Sequence, residues 1–266
     1  NVALCKTEKS KVLVEAGITQ TPEKAHKLLL ETGIWEITKN PYPTRYGLSM
    51  TSAQQGLGTP PEEERLEVPG TAYAIDNEWS ADPDDAVNFD GKYLWVHIAD
   101  PASFVEPDSV VDKAARNRGT TLYLPDGAVR MLAETALEDY ALGLKEKSRA
   151  LSFRLLLNED CSVQECTILK TIVNVKRLTY KAATEQKDSP ELKPLFDIAK
   201  RNVERRKKSG ATNIDMPEVH INVDPETKKV SVSPLVRYEA DAIICEMMLL
   251  AGEGAAHFAY NNRIPF

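Results

Sequence analysis

The sequence has only four cysteines, Cys5, Cys161, Cys166 and Cys245, with no Cys-x-x-Cys pair among them. No histidine stands at zinc-finger spacing from them either, so a structural zinc site is excluded. Reduced, partly buried thiols are expected, as in a cytosolic protein. Histidine is equally sparse: His26, His97, His220 and His257 are scattered without metal-ligand spacing, and each is expected as a structural residue. There is no Gly-x-x-x-x-Gly-Lys-Ser/Thr phosphate loop and no Gly-x-Ser-x-Gly elbow. No run of about 18 apolar residues occurs, so no transmembrane helix is expected. The opening, Asn1 to Lys6, lacks the basic-then-apolar layout of a secretory signal, and a start at Asn points to a fragment or a processed product. Positive charge is also short, with 33 Lys and Arg against 40 Asp and Glu, a formal net charge of −7. Phosphate contacts need Lys and Arg, but net charge says nothing of a local basic channel, and a metal site adds carboxylates to the count.

What remains is an ordinary globular composition. The 266 residues are 42% hydrophobic and 27% charged, which fits one large domain with a small partner, or two ordinary domains, around a sizeable core.

Residues 1 to 60 read as a small leading unit. Val12-Leu13-Val14 suggests a short strand. Thr21-Pro22-Glu23 is a helix start, with a capping hydroxyl, proline in the first turn and an acid near the positive helix end. Ala25, Leu28 and Leu29 give that helix an apolar stripe and Gly33 ends it. A winged-helix module and a plain helical cap both fit. Residues 51 to 70 read as a linker, turn-rich and then acidic at Glu62-Glu63-Glu64, with Pro69-Gly70 as punctuation. From Thr71 the pattern is mixed. Strands are expected at Ala72–Ile75, Tyr93–Ile98, Ala150–Leu157 and Thr167–Val173. Helices are expected at Val110–Arg118, Leu192–Lys208 and Glu239–Tyr260. The basic stretch from Lys200 to Lys208 reads equally as an RNA-lining face or a solvated helix face.

The most informative stretch runs from Ile75 to Ala86, with aspartates at 76, 82, 84 and 85 and a glutamate at 78. It follows a strand rather than lying on a polar helix. Asp82-Pro83 imposes extended backbone, so Asp82 and Asp84 are expected to point the same way from a bent loop, with Asp76 facing them. Crowded carboxylates raise one another's pKa, and a divalent cation reverses that cost. Hard oxygen ligands with room for water suit Mg²⁺, whose use is then phosphoryl or phosphodiester chemistry. An EF-hand fails on spacing, because Gly91 at its sixth position would put Ala86 at its first. By spacing alone, a solvated acidic loop and a metal site both stand.

The order of motifs adds to this. The chain resembles the ribonuclease II / ribonuclease R family through its catalytic RNB domain. That family carries Ile-Asp, five residues, Asp, one residue, then Asp-Asp-Ala, and Asp76, Asp82, Asp84, Asp85 and Ala86 match without a gap. Val96 to Pro101, Asp112 to Ala115, Arg118 to Pro125, Ser148 to Ser152, Arg177 to Tyr180, Gly210-Ala211 with Pro217-Glu218, and Glu246 to Met248 follow in the family's order. The resemblance implies an α+β fold, a mixed sheet with packed helices at residues 61–266, behind a small helical or winged-helix-like unit at residues 1–60. It implies a hydrolytic 3′→5′ exoribonuclease that degrades single-stranded RNA to nucleoside 5′-monophosphates. Mg²⁺, or Mn²⁺ in its place, would be held by the four aspartates, with Asp84 tied most closely to the chemistry and Asp76 and Asp85 the firmest ligands. Tyr123 and Tyr180 would stack on 3′-terminal bases, and Glu246 would lie near the last ribose. The protein is expected to act as a monomer, away from membranes, in the cytoplasm, or in an organelle if a transit peptide preceded it.

Departures from the family point to a divergent branch: Ala133 where Pro is usual, Gly143 where Ser is usual, and Gly252 where Asn is usual. The family's catalytic arginine and C-terminal OB-fold module lie beyond residue 266, so this chain alone is expected to be weak or inactive. The alternatives are a catalytically dead RNB-type protein that binds RNA or regulates a nuclease, and a Ca²⁺-binding structural module.

Overall fold

The computed structural model describes residues 1–125, 127–214, 216–224 and 226–265. They divide into two compact units. One comprises residues 1–56, 108–134 and 220–233, and the other residues 57–107, 135–219 and 234–266.

The first unit begins with a 3-10 turn at Val2–Leu4, then α1 (Lys11–Glu15), α2 (Pro22–Glu31) and α3 (Tyr42–Arg45). Thr21 caps α2 by accepting a hydrogen bond from the Lys24 amide, and Gly33 follows its end at φ +67°. The expected strand at Val12-Leu13-Val14 is instead helix α1. Leu13 is buried with Val2, Ala3 and Ala25, while Val12 and Val14 face solvent, so one core contact overrides the β preference of the two valines. Arg45 ties the helices together, donating from Nε to the Ala3 carbonyl at 2.9 Å and from Nη2 to the Pro22 carbonyl at 3.2 Å. Residues 1–56 contain no strand, and their three helices form the small leading unit. The same unit contains α4 (Val110–Arg118), capped by Ser109, and two ribbons. These are β4 (Leu122–Leu124) with β5 (Gly127–Val129), and β8 (Val219–Val223) with β9 (Val230–Pro234).

The second unit is built on a closed five-stranded barrel of β1 (Leu66–Asp76), β2 (Asp85–Phe89), β3 (Leu94–Ala99), β6 (Lys147–Leu157) and β7 (Val163–Thr179). All neighbours are antiparallel except β1 and β7, whose parallel pairing closes the barrel. Side chains alternate between two faces. Ala72, Ala74, Ala86, Trp95, Ala150 and Val173 form one cluster, the barrel interior. Small residues dominate it because five strands enclose little space. The alternate positions, Ile75, Val87, Leu94, Val96 and Leu155, point outward and pack against a helical layer. That layer is α6 (Tyr180–Glu185), α7 (Lys193–Lys208) and α8 (Glu239–Asn261), while α5 (Leu137–Tyr140) contributes no residue to this core.

Helix α8 has the length and mean hydropathy, 1.3, of a membrane span by composition alone. Burying Ala240, Ile243, Ile244, Met247, Leu250 and Ala251 accounts for the same apolarity. Its Gly254 lies so close to the barrel that a Cβ there would come within 2.6 Å of Leu155 Cδ2.

The linker expected at residues 51–70 ends earlier, at residue 65. Pro69 and Gly70 lie inside β1, at an irregularity where its register against β7 shifts between Glu67 and Thr71. The acidic run is not free either. Glu63 pairs with Arg65, Arg149 and Lys170, and the buried Arg65 also holds Asp100 at 2.6 Å.

Candidate active site

The expected aspartates gather where β1 ends and β2 begins. Asp76 is the last residue of β1, paired in register with Thr179, and its Oδ1 accepts the Asn77 amide at 2.7 Å. Asp85 opens β2 opposite Ile98. It shares the face of Val87 and Phe89, the face the helices cover, and this parity is why its carboxyl is sheltered. The backbone around Asp84 is pinned, because its carbonyl accepts the Ala99 amide at 2.8 Å and the Pro83 carbonyl accepts the Leu142 amide at 2.8 Å.

The electrostatics are those of crowded carboxyls. Burial, then the charges of Asp84 and Asp76, push the Asp85 carboxyl up to about 7, and a hydrogen bond to Asp84 holds its proton. Its Oδ2 is buried and has no hydrogen-bond partner. Asp84 is also raised, first by burial and then by the charges of Asp76 and Asp82, against the opposing pull of the Asp85 hydrogen bond. Burial and crowding thus favour the protonated form of both Asp84 and Asp85, with the charges of Asp76 and Asp82 adding to the effect. Among the described residues, no three His, Cys, Asp or Glu side chains are placed to hold an ion as they stand. The donor set nevertheless fits a hard divalent cation. All donors are carboxylates, one buried oxygen lacks any partner, and the repulsion that raises both carboxyls is what a cation would relieve.

Tyr180 is the first residue of α6, whose cap, Thr179, accepts the Ala182 amide. It packs partly buried against the outer core. Burial, then the nearby charges of Asp76, Asp241, Asp85 and Asp84, raise its hydroxyl pKa, so it stays protonated beside the carboxylates. Asp241 is a neighbour that sequence spacing did not reveal, since it lies on α8, far along the chain.

Glu246 is not an exposed helix acid. It is 6% exposed on α8, and both oxygens are engaged by α7, Oε2 by Asn202 Nδ2 at 2.8 Å and Oε1 by Arg206 Nη1 at 2.5 Å. Asn202 Oδ1 in turn accepts from Arg205, which also holds Glu253 at 2.6 Å. Tyr123 belongs to the first unit, on β4, and is 66% exposed.

Comparison with known proteins places this barrel and its acidic loop in one family. The RNB domain profile matches residues 67–266, and a double HTH domain profile matches residues 1–41. The chain belongs to the RNB-domain family. It is 31% identical to an uncharacterized ribonuclease of Synechocystis sp., over 96% of this chain and 41% of the relative. It is 30% identical to the chloroplastic/mitochondrial ribonuclease II of Arabidopsis thaliana, over 96% of this chain and 35% of that protein. The chain therefore spans well under half the length of these relatives. The fold is shared with an active-site mutant of the Dss1 exoribonuclease from Candida glabrata, with a TM-score of 0.77 at 20% identity over 92% of this chain and 38% of that one. It is also shared with Mycoplasma genitalium RNase R in complex with ribose-methylated single-stranded RNA, with a TM-score of 0.69 at 20% identity over 91% of this chain and 40% of that one.

Proposed function

We propose that this chain carries the carboxylate centre of a hydrolytic 3′→5′ exoribonuclease, which degrades single-stranded RNA to nucleoside 5′-monophosphates with Mg²⁺, or Mn²⁺, held by Asp76, Asp82, Asp84 and Asp85. The observation that carries the proposal is the buried, partnerless Asp85 Oδ2 among the crowded carboxyls of Asp76, Asp82 and Asp84. A fold keeps such a costly arrangement where function needs it. Family membership supplies the reaction class.

A cation held by these aspartates would supply charge neutralisation for the scissile phosphate and a water of lowered pKa. The chain's own part is to hold four carboxylates on one strand-end and loop, with Asp84 and Asp85 fixed by backbone bonds on either side. Their carboxyl oxygens are where a proton leaving the attacking water is taken up. Tyr180, whose hydroxyl stays protonated, offers a donor and a ring face at the same site, and Tyr123 offers an exposed ring face. Glu246, bonded to α7 through both oxygens, acts here chiefly as the joint between α7 and α8.

The direct test is a 5′-labelled single-stranded RNA incubated with the purified protein and Mg²⁺, alongside Asp84→Asn and an EDTA control. A ladder shortening from the 3′ end, lost with EDTA and reduced about a hundredfold or more in Asp84→Asn, is the expected result. RNA bound but uncut would instead support a non-catalytic RNA-binding protein. That reading has a precedent in fold alone, since the chain also matches yeast Ssd1, a pseudonuclease, with a TM-score of 0.56 at 18% identity.

A further inference from the structure

Two residues that flank Asp82 are held from one place on the barrel. Leu142 is fully buried among the barrel-interior residues, and its amide donates to the Pro83 carbonyl at 2.8 Å. The next amide, that of Gly143, donates to Ser148 Oγ at 3.1 Å and so fastens this segment to β6. From the adjoining strand β7, Arg177 Nη2 donates to the Ser80 carbonyl at 2.7 Å. Ser80 and Pro83 enclose Asp82, and Asp84 follows directly. Arg177 stands in register with Ala74, just before the pairing of Thr179 with Asp76. The strand that carries the arginine therefore also runs beside the first carboxylate.

Gly143 seats the arginine. Its φ of +75° suits glycine. A Cβ there would lie 3.1 Å from Arg177 Cγ, 3.1 Å from Val175 Cγ1 and 3.2 Å from the Val175 carbonyl oxygen, so the arginine stem lies against bare backbone. The guanidinium goes to a main-chain carbonyl, not to a carboxylate. An arginine bonded to the aspartates would occupy the oxygens that a cation needs. Bonded to the main chain, it fixes the loop and leaves those oxygens open. Crowded carboxylates push one another apart when no cation holds them. A loop free to spread must be gathered again on binding, and that ordering lowers the affinity.

We propose that Arg177 is a positioning residue of the carboxylate centre. Acting through the Ser80 carbonyl, with Gly143 making room for its stem, it presets residues 80–84 in the conformation that receives a divalent cation. This rests on the reading of the aspartates as a metal centre and adds to it a residue outside the carboxylate set. The sign of the effect separates positioning from simple electrostatics. By Coulomb's law, deleting a positive charge near a cation site strengthens cation binding. Deleting Arg177 weakens it instead, because the loop is no longer held. Lys176, the preceding residue of β7, is an exposed cation on the opposite face of the strand, and serves as the control for charge alone.

The test titrates the purified protein with Mn²⁺, without RNA, and reads free Mn²⁺ by electron paramagnetic resonance. Arg177→Met keeps an unbranched stem beside Gly143 and loses the donor. It is expected to weaken Mn²⁺ binding by about tenfold, the effect of one lost hydrogen bond from a charged group. Arg177→Lys, which keeps a charged donor, should stay within about threefold of the parent. Lys176→Met should bind as the parent does or slightly more tightly. Melting temperatures in EDTA should barely differ, because the bond orders a loop and not the core. Gly143→Ala should also weaken binding, and its loss should not add fully to that of Arg177→Met, since both act on one bond. Unchanged or tighter binding by Arg177→Met would overturn the positioning role and leave the metal centre standing. An equal loss in Lys176→Met would overturn it too, as would a melting temperature of Arg177→Met in EDTA lowered by many degrees, which marks a structural residue. Fully additive losses would overturn the seat at Gly143. A parent that binds no Mn²⁺ would overturn the metal centre and this proposal with it.

Discussion

Inside the barrel, His97 shows how one buried residue sets a pH limit. The ring is fully buried and joins a polar chain across the strands. Nε2 meets Asn88 Oδ1 at 2.8 Å, Nδ1 meets Ser152 Oγ at 2.6 Å, and Ser152 Oγ meets Thr171 Oγ1 at 2.5 Å. Burial drives its pKa down from 6.5 to about 4. Its folded value is depressed, so the unfolded chain takes up a proton that the folded barrel refuses. Stability is full above about pH 6.5, falls as pH drops towards 4, and loses roughly 3 kcal/mol to this residue across that window. Urea midpoints at pH 7 and pH 4.5 should therefore differ by less in His97→Gln than in the parent. An equal difference in both would place the acid sensitivity elsewhere.

At the scale of elements, Gly254 decides how closely α8 can approach the barrel. With only 2.6 Å between its would-be Cβ and Leu155 Cδ2, and 3.0 Å to Cys166 Sγ, Gly254→Ala should gain helix propensity yet lose more to overpacking, a net cost of about 1–3 kcal/mol. Thermal unfolding reads this directly, and Leu155→Val added to Gly254→Ala should recover part of the loss.

The elements also show what the sequence could disclose. Strands β3, β6 and β7 and helices α4, α7 and α8 were legible because their patterns are long and their caps ordinary. Strand β2 escaped notice because it has five residues and carries Asn88, whose polarity is satisfied only by His97 on the next strand. Val12 to Val14 misled because β propensity is weak against one tertiary contact. The closed barrel could not be read at all, since β1 and β7 pair in parallel about a hundred residues apart and local pattern holds no record of that. The acidic site was legible as a cluster, because four of its residues lie within one loop and strand end. The pairing of Asp84 with Asp85 depends on strand parity, and the burial of Glu246 on α7.

For the molecule as a whole, the carboxylate centre is a liability built into an already anionic chain, with a net charge of −7. Gathering four aspartates costs stability through mutual repulsion and through burial of Asp85, and that cost falls on the apo fold. Removing one charge at the centre should therefore stabilise the metal-free protein while destroying its function, the usual trade at such sites. In EDTA, Asp85→Asn is expected to melt above the parent. Mg²⁺ should then reverse the order. A cation that binds only the folded state, at about a hundred times its dissociation constant, adds about 2.7 kcal/mol, which for a chain of this size raises Tm by roughly 5–10 °C. Asp85→Asn, lacking the buried oxygen, should show little of that rise. Melting curves for both proteins, with EDTA and across a Mg²⁺ titration, test the argument in one experiment. If Mg²⁺ leaves the parent's Tm unchanged while Asp85→Asn is still the more stable in EDTA, the cluster is a charged loop that pays in stability without holding the metal.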